Sequence, residues 1–200
     1  MNATTHHAEQ VFRRRGGLLR TAEALAAGIH PRDLYRLRDE GLVERVSRGL
    51  YRWASLPPLG EPDLVVVATR VPKGIICLIS ALTFHEITTQ IPHEVHVAVK
   101  RGAATPRLKS PPIRVFRFSD PSYVAGMERH RIDGADVSIY TAAKTVADCF
   151  KFRNVVGIDV AVEAMRMAMD SGKAMPTEIE ENARVCRVDR IVTPYLEALI

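Results

Sequence analysis

The residues of this 200-residue chain that could do chemistry fall into a few clusters, and the densest is GIHPRDLYRLRDEGLVERVSRGLYRW, from Gly28 to Trp53. Arg32, Arg36, Arg38, Arg45, Arg48 and Arg52 are interleaved there with Asp33, Asp39, Glu40 and Glu44. A guanidinium fork matches a phosphate, or the O6/N7 edge of guanine, through two parallel N–H bonds. The chemistry on offer is recognition of a polyanion rather than bond making. The same composition also describes a solvated helix face held by pairs three or four residues apart.

A second cluster, His85, Glu86, His93, Glu94 and His96, invites a metal reading. The spacing speaks against it, because Ile87-Thr88-Thr89 follows His85-Glu86 and no HExxH forms. If Glu94–Val99 is a strand, Glu94 and His96 share one face and His93 takes the other. No metal and no cofactor is expected. A nuclease needs an acid followed by Glu/Asp-x-Lys, and Glu94 stands six residues before Lys100. Asp133 and Asp136 bracket a turn glycine, which accounts for them without catalysis. No P-loop, GxSxG or Rossmann fingerprint occurs, so an enzyme is not expected. Lys100-Arg101 follows a strand pattern and offers an auxiliary contact to DNA or to a toxin.

The elements that must position these groups follow from periodicity. Ala8, Val11 and Phe12 share a face of a helix over residues 7–14 that Gly16-Gly17 ends. Thr21 predicts an N-cap for a helix 22–27, closed by Gly28. Pro31 opens a helix to Glu40, and Gly41 closes it. At about 100° per residue, Leu34 and Leu37 face inward while Arg32, Tyr35 and Arg36 face out together. Residues 42–46 and 50–53 alternate as strands around Ser47-Arg48-Gly49, with Tyr51 and Trp53 packing inward and Arg45 and Arg52 outward. Helix, helix, turn, helix, hairpin is the order of a winged helix-turn-helix. The candidate DNA-facing set is Thr21, Arg32, Tyr35, Arg36, Ser47 and Arg48.

The Pro-rich stretch 57–62 predicts a linker, dividing the chain into a winged domain, residues 1–56, and a larger domain, residues 63–200. In the latter, residues 63–69 read as a helix or a buried strand, 77–87 as a helix, 94–99 and 113–118 as strands, and 128–132 with 137–140 as a hairpin around Asp133-Gly134. Residues 141–150, 158–169 and 177–186 read as amphipathic helices, with Val162, Met165 and Met169 as a core stripe. The whole is α+β.

Charge agrees with this division. Residues 1–56 hold ten Lys/Arg against six Asp/Glu, a net of +4, whereas residues 57–140 net +2 and residues 141–200 net −1. The positive end is the one placed to meet a polyanion. Cys77, Cys149 and Cys186 lie far apart with no CxxC, which predicts buried free thiols rather than zinc or disulfides. The apolar runs are too short for a membrane span and no signal pattern opens the chain, so a cytoplasmic protein is expected.

The run GGLLRTAEALAAGIHPRDLYRLRDEGLVERVSRGLYRW resembles the N-terminal domain of AbiEi-type antitoxins, with VERVSRGLYR its most specific piece. SALTFHEITTQIPHEVHVAV and IYTAAKTVADCFKFRNVVGIDVAVEAM resemble parts of that family's C-terminal antitoxin domain. The resemblance implies the repressor half of a type IV toxin–antitoxin pair in abortive infection, a form of phage defence. It further implies a winged domain that binds inverted repeats in its own promoter. The second domain would counteract a cognate nucleotidyltransferase-type toxin without necessarily forming a stable complex. The alternative is a stand-alone winged-helix transcriptional regulator whose second domain senses a ligand.

Overall fold

The structure, a computed structural model, describes residues 3–199. Contacts group the chain into two compact units. One runs to Arg70 and takes in Arg131–Asp136; the other comprises Val71–His130 and the chain from Val137 onward.

The first unit contains α1 (Ala3–Arg14), β1 (Leu18–Arg20), α2 (Thr21–Ala26), α3 (Pro31–Asp39), β2 (Val43–Ser47), β3 (Leu50–Trp53) and α4 (Pro62–Arg70). Its sheet is antiparallel in the order β1-β3-β2, with Leu19 opposite Tyr51 and Val43 opposite Trp53. Ala8 and Phe12 of α1, Ala24 of α2, Leu34 and Leu37 of α3, and Tyr51 and Trp53 of β3 form one core. The Phe12 and Trp53 rings meet with centroids 5.7 Å apart. The inward side of the expected helix and hairpin is therefore the observed one.

Two details of this unit depart from expectation. Thr21 does not cap α2: the Glu23 carboxylate reaches back to the Arg20 backbone N–H at 2.7 Å, so Arg20 is the N-cap and Thr21 the first helical residue. The expected linker 57–62 is tied down within the unit. Arg52 holds the Pro57 carbonyl at 3.1 Å, and the Asp133 carboxylate accepts the Glu61 N–H at 3.0 Å. The valine run after Pro62 is helical, with Leu64, Val65, Val66 and Val67 all buried.

The second unit carries β4 (Ile75–Ile76), α5 (Leu78–Phe84), β5 (Val95–Lys100), β6 (Ile113–Phe118), α6 (Asp120–Val124), β7 (Met127–Ile132), β8 (Ala135–Tyr140), α7 (Ala142–Lys151), α8 (Arg153–Val156), α9 (Ile158–Asp170), α10 (Pro176–Cys186) and α11 (Asp189–Glu197). The turn joining β7 to β8 is counted with the first unit. The five strands run in the order β6-β5-β4-β8-β7, with β5 parallel to β6 and β4 parallel to β8. The architecture is α+β.

Helix α7 is the axis of the second core. Every residue from Ala142 to Phe150 is buried, and α5, α9, α10 and α11 pack on it. The Lys144 ammonium is paired with the Asp148 carboxylate inside this helix, both side chains fully buried. The three cysteines are free and buried. On α9, Met165 is fully buried while Val162 and Met169 are partly buried against the same core.

Candidate nucleic-acid interface

Helix α3 is launched by a cap that its sequence encodes. The His30 imidazole Nδ1 accepts the Arg32 backbone N–H at 3.2 Å, and Pro31 occupies a first-turn position where a missing N–H costs nothing. With Leu34 and Leu37 fully buried, the opposite face is turned out. Arg32 is exposed there, and its guanidinium has no partner among the described residues. Tyr35 lies one turn on and is 44% exposed. Arg36 shares the face but is engaged, with Asp33 at 3.5 Å and Glu40 at 3.3 Å. Arg38 is paired with Asp39 at 2.7 Å and its guanidinium stands 5.2 Å from the Tyr35 ring centroid. That hydrogen bond to Asp39 raises the Arg38 pKa further above its already high ordinary value.

The wing is built on the β2–β3 turn. Arg48 projects from its tip, exposed and without a side-chain partner among the described residues, while its carbonyl accepts from Arg70 at 3.3 Å. Gly49 turns at φ +75°, a conformation natural to glycine, and its carbonyl accepts the Thr21 N–H at 2.9 Å. The Thr21 hydroxyl points at the same carbonyl, 3.5 Å away. Ser47 stands at a register shift in β2, and its hydroxyl is buried with no hydrogen-bond partner. Of the six candidate residues, the geometry brings Arg32, Tyr35 and Arg36 onto one helix face and leaves Arg48 free at the wing tip. It turns the Thr21 and Ser47 hydroxyls inward.

Arg52 was expected on the outer face of the hairpin and is instead 8% exposed. Its guanidinium donates to the carbonyls of Trp53, Leu56 and Pro57 and pairs with Glu44 at 3.3 Å. The reason is the chain that leaves β3, whose residues 53–57 fold back over this face and turn their carbonyls to the guanidinium.

In the second unit, Lys100 ends β5 and is paired with Asp120 at 2.8 Å, whereas Arg101 is exposed and its guanidinium has no partner among the described residues. The loop beyond is braced by Arg117, which donates to the Ala103 carbonyl at 2.9 Å and the Thr105 hydroxyl at 2.6 Å. The histidine cluster is dispersed. His85 Nε2 donates to the Tyr140 carbonyl at 2.7 Å, His96 is buried against Phe116, and His93 is exposed. Burial lowers the pKa of His85, and burial with the nearby Arg114 charge lowers that of His96 to about 4. Among the described residues no three His, Cys, Asp or Glu side chains are grouped to hold a metal, and no helix is long and apolar enough to cross a membrane.

Residues 8–54, which include α2, α3 and the wing, match the family described as "Transcriptional regulator, AbiEi antitoxin". No curated protein matches the chain. Its structure is similar to the crystal structure of the RV2827C protein from Mycobacterium tuberculosis, with a TM-score of 0.56 over 98% of this chain and 82% of that one. At 11% identity this is a likeness of fold.

Proposed function

We propose that this protein is a DNA-binding antitoxin that represses its own operon and counteracts a cognate nucleotidyltransferase-type toxin of a type IV system. The observation that carries the reading is the outer face of α3, within the matched region. Arg32 is free of acid partners there, Tyr35 and Arg36 flank it, and Arg48 stands free at the wing tip. A recognition helix needs long donors on its exposed N-terminal half, and a wing needs a donor for the backbone. The role is binding, carried out in the cytoplasm where the promoter is. Toxin neutralisation is assigned to the second unit and needs no stable complex between the two proteins.

Two measurements test the reading. The full chain is expected to shift a fragment of its own promoter carrying inverted repeats, and not a scrambled fragment. Co-expression with the product of the adjacent gene is expected to restore growth that the product alone arrests. A chain that binds the promoter but rescues nothing would point to a stand-alone regulator. That second reading is favoured by a cavity of about 570 Å³ in the second unit, lined by Phe84, His85, Glu128, His130 and Lys173.

A further inference from the structure

The first unit holds a second basic feature, on a wall that α3 does not contribute to. A cavity of about 260 Å³ opens there, lined by three arginines: Arg15 from the turn after α1, Arg20 from the end of β1, and Arg131 from the end of β7. All of its lining residues belong to this unit. The two acids on its wall are already engaged. The Glu23 carboxylate accepts the Arg20 backbone N–H, and Asp136 pairs with Arg131 at 2.8 Å. Three arginines against two acids leave the lining with a net charge of +1, and neither Arg15 nor Arg20 is held in an ion pair among the described residues.

The hollow is also shaped. The backbones at Gly16 and Gly134 touch: a Cβ on Gly134 would stand 2.3 Å from the Gly16 carbonyl oxygen, and one on Gly16 would stand 2.7 Å from Gly134 Cα. This close approach brings Arg131 Nη2 to 3.6 Å from the position a Gly16 Cβ would take, beside Arg15. Thr69 lines the same wall. Arg20 pairs in register with Leu50, the first residue of β3 after the wing turn, and Leu50 lines the cavity too.

We propose that this cavity binds a phosphate group. A tetrahedral anion with several equivalent oxygens is the ligand that two or three planar forks can share from different sides, whereas a planar carboxylate offers two oxygens in one plane. Two sources offer that chemistry, a phosphodiester of bound DNA next to the wing and a free phosphate or nucleotide. The site is separate from the α3 face, and its test requires no DNA.

The experiment titrates the full chain with inorganic phosphate, with chloride at matched ionic strength as the reference. Unfolding of the first unit is followed through Trp53, the only tryptophan of the chain. Phosphate is expected to raise the midpoint of the wild type. The Arg15→Gln/Arg20→Gln variant is expected to need about tenfold more phosphate for the same rise, since charge-assisted bonds are lost. General salting effects of phosphate act on any folded chain and would raise both proteins equally, so equal responses overturn the site. Arg20→Lys guards against a folding defect in the double variant; it keeps the charge, loses the fork, and is expected to respond less than the wild type. An unchanged response in Arg20→Lys and Arg131→Lys alike would also overturn the proposal. The two sources separate in promoter binding at constant ionic strength. Competition by phosphate that disappears in the double variant marks the DNA backbone as the source. A phosphate-raised midpoint with promoter affinity unchanged marks a free anion.

Discussion

The Arg52 guanidinium donates to the Leu56 carbonyl at 2.7 Å, closing the chain that leaves the wing back onto the central strand. It also donates to Trp53 and Pro57, so one buried side chain satisfies three carbonyls. Arg52→Met keeps most of the apolar stem and removes every donor. Leaving buried carbonyls unpaired costs about 1–3 kcal/mol each when water cannot replace the donor. The variant is expected to lose about 2–3 kcal/mol in urea unfolding followed by Trp53 fluorescence, given that part of the site is open to solvent. A midpoint equal to the wild type would mean that water takes over the role.

A different liability sits in the second core. Lys144 and Asp148 neutralise each other at zero exposure, the ammonium lies 4.2 Å from the Tyr140 ring centroid, and the Cys186 thiol donates to the second Asp148 oxygen at 3.2 Å. Burial pushes the Asp148 carboxyl pKa up, while the Lys144 charge pulls it down. Lys144→Met strands a buried carboxylate and is expected to cost about 3–5 kcal/mol. Lys144→Met/Asp148→Leu removes both charges and is expected to recover most of that loss. Circular dichroism in urea reads both, and a double variant as unstable as the single one would show that the pair does more than neutralise itself.

His96 supplies a pH dependence whose sign is set by its surroundings. Burial first, and the Arg114 charge second, bring its pKa from 6.5 down to about 4. The unfolded chain therefore binds a proton that the native state refuses, so stability falls as pH drops from 6.5 toward 4 and is regained above. Its Nδ1 is buried without a partner, and the Phe116 ring centroid lies 5.0 Å away, so phenylalanine is a fitting replacement. His96→Phe is expected to show a smaller fall in urea midpoint across that window than the wild type. Parallel profiles for the two proteins would assign the slope to other groups.

How far the sequence could be read varies with the range of the interactions involved. Helix α3 is legible because its Pro31 start, its Gly41 stop and its Leu34/Leu37 spacing are all local. The winged order follows from the same kind of signal. Strand β1 is not legible: three residues after Gly16-Gly17 carry too little periodicity, and only pairing with β3 makes them a strand. Arg52 is misplaced for a related reason: the hairpin alone leaves its face open, and only the fold-back of residues 53–57 covers it. The same limit hides β4, the two residues Ile75–Ile76 that precede the expected helix 77–87 and are too few to show a period. It hides the arginine cavity as well, because Arg131 lies more than a hundred residues from Arg15 and Arg20. Ser47 and Thr21 show the converse case. Their residue type suits phosphate contact, but backbone geometry around Gly49 turns both hydroxyls inward.

The face of α3 offers its own ranking of residues. Arg32 carries no internal partner, so a DNA contact takes nothing from the fold; Arg36 must release or share Asp33 and Glu40. Such partly exposed pairs are worth about 0–1 kcal/mol each, which leaves Arg36 able to turn to DNA but with a smaller net gain. Arg32→Ala is therefore expected to weaken promoter binding by about 1–3 kcal/mol if the contact is to a base, and Arg36→Ala by less. Glu40→Gln releases Arg36 from one of its two acids and removes a negative charge from the face, so it should strengthen binding. Arg48→Ala, at the wing, should lower the slope of log affinity against log salt by about one without changing sequence preference. Anisotropy titrations of a labelled promoter fragment at several salt concentrations measure all four. An Arg32→Ala/Arg36→Ala chain that binds as tightly as the wild type would remove α3 from the interface, because no other long donors stand on its outer N-terminal half.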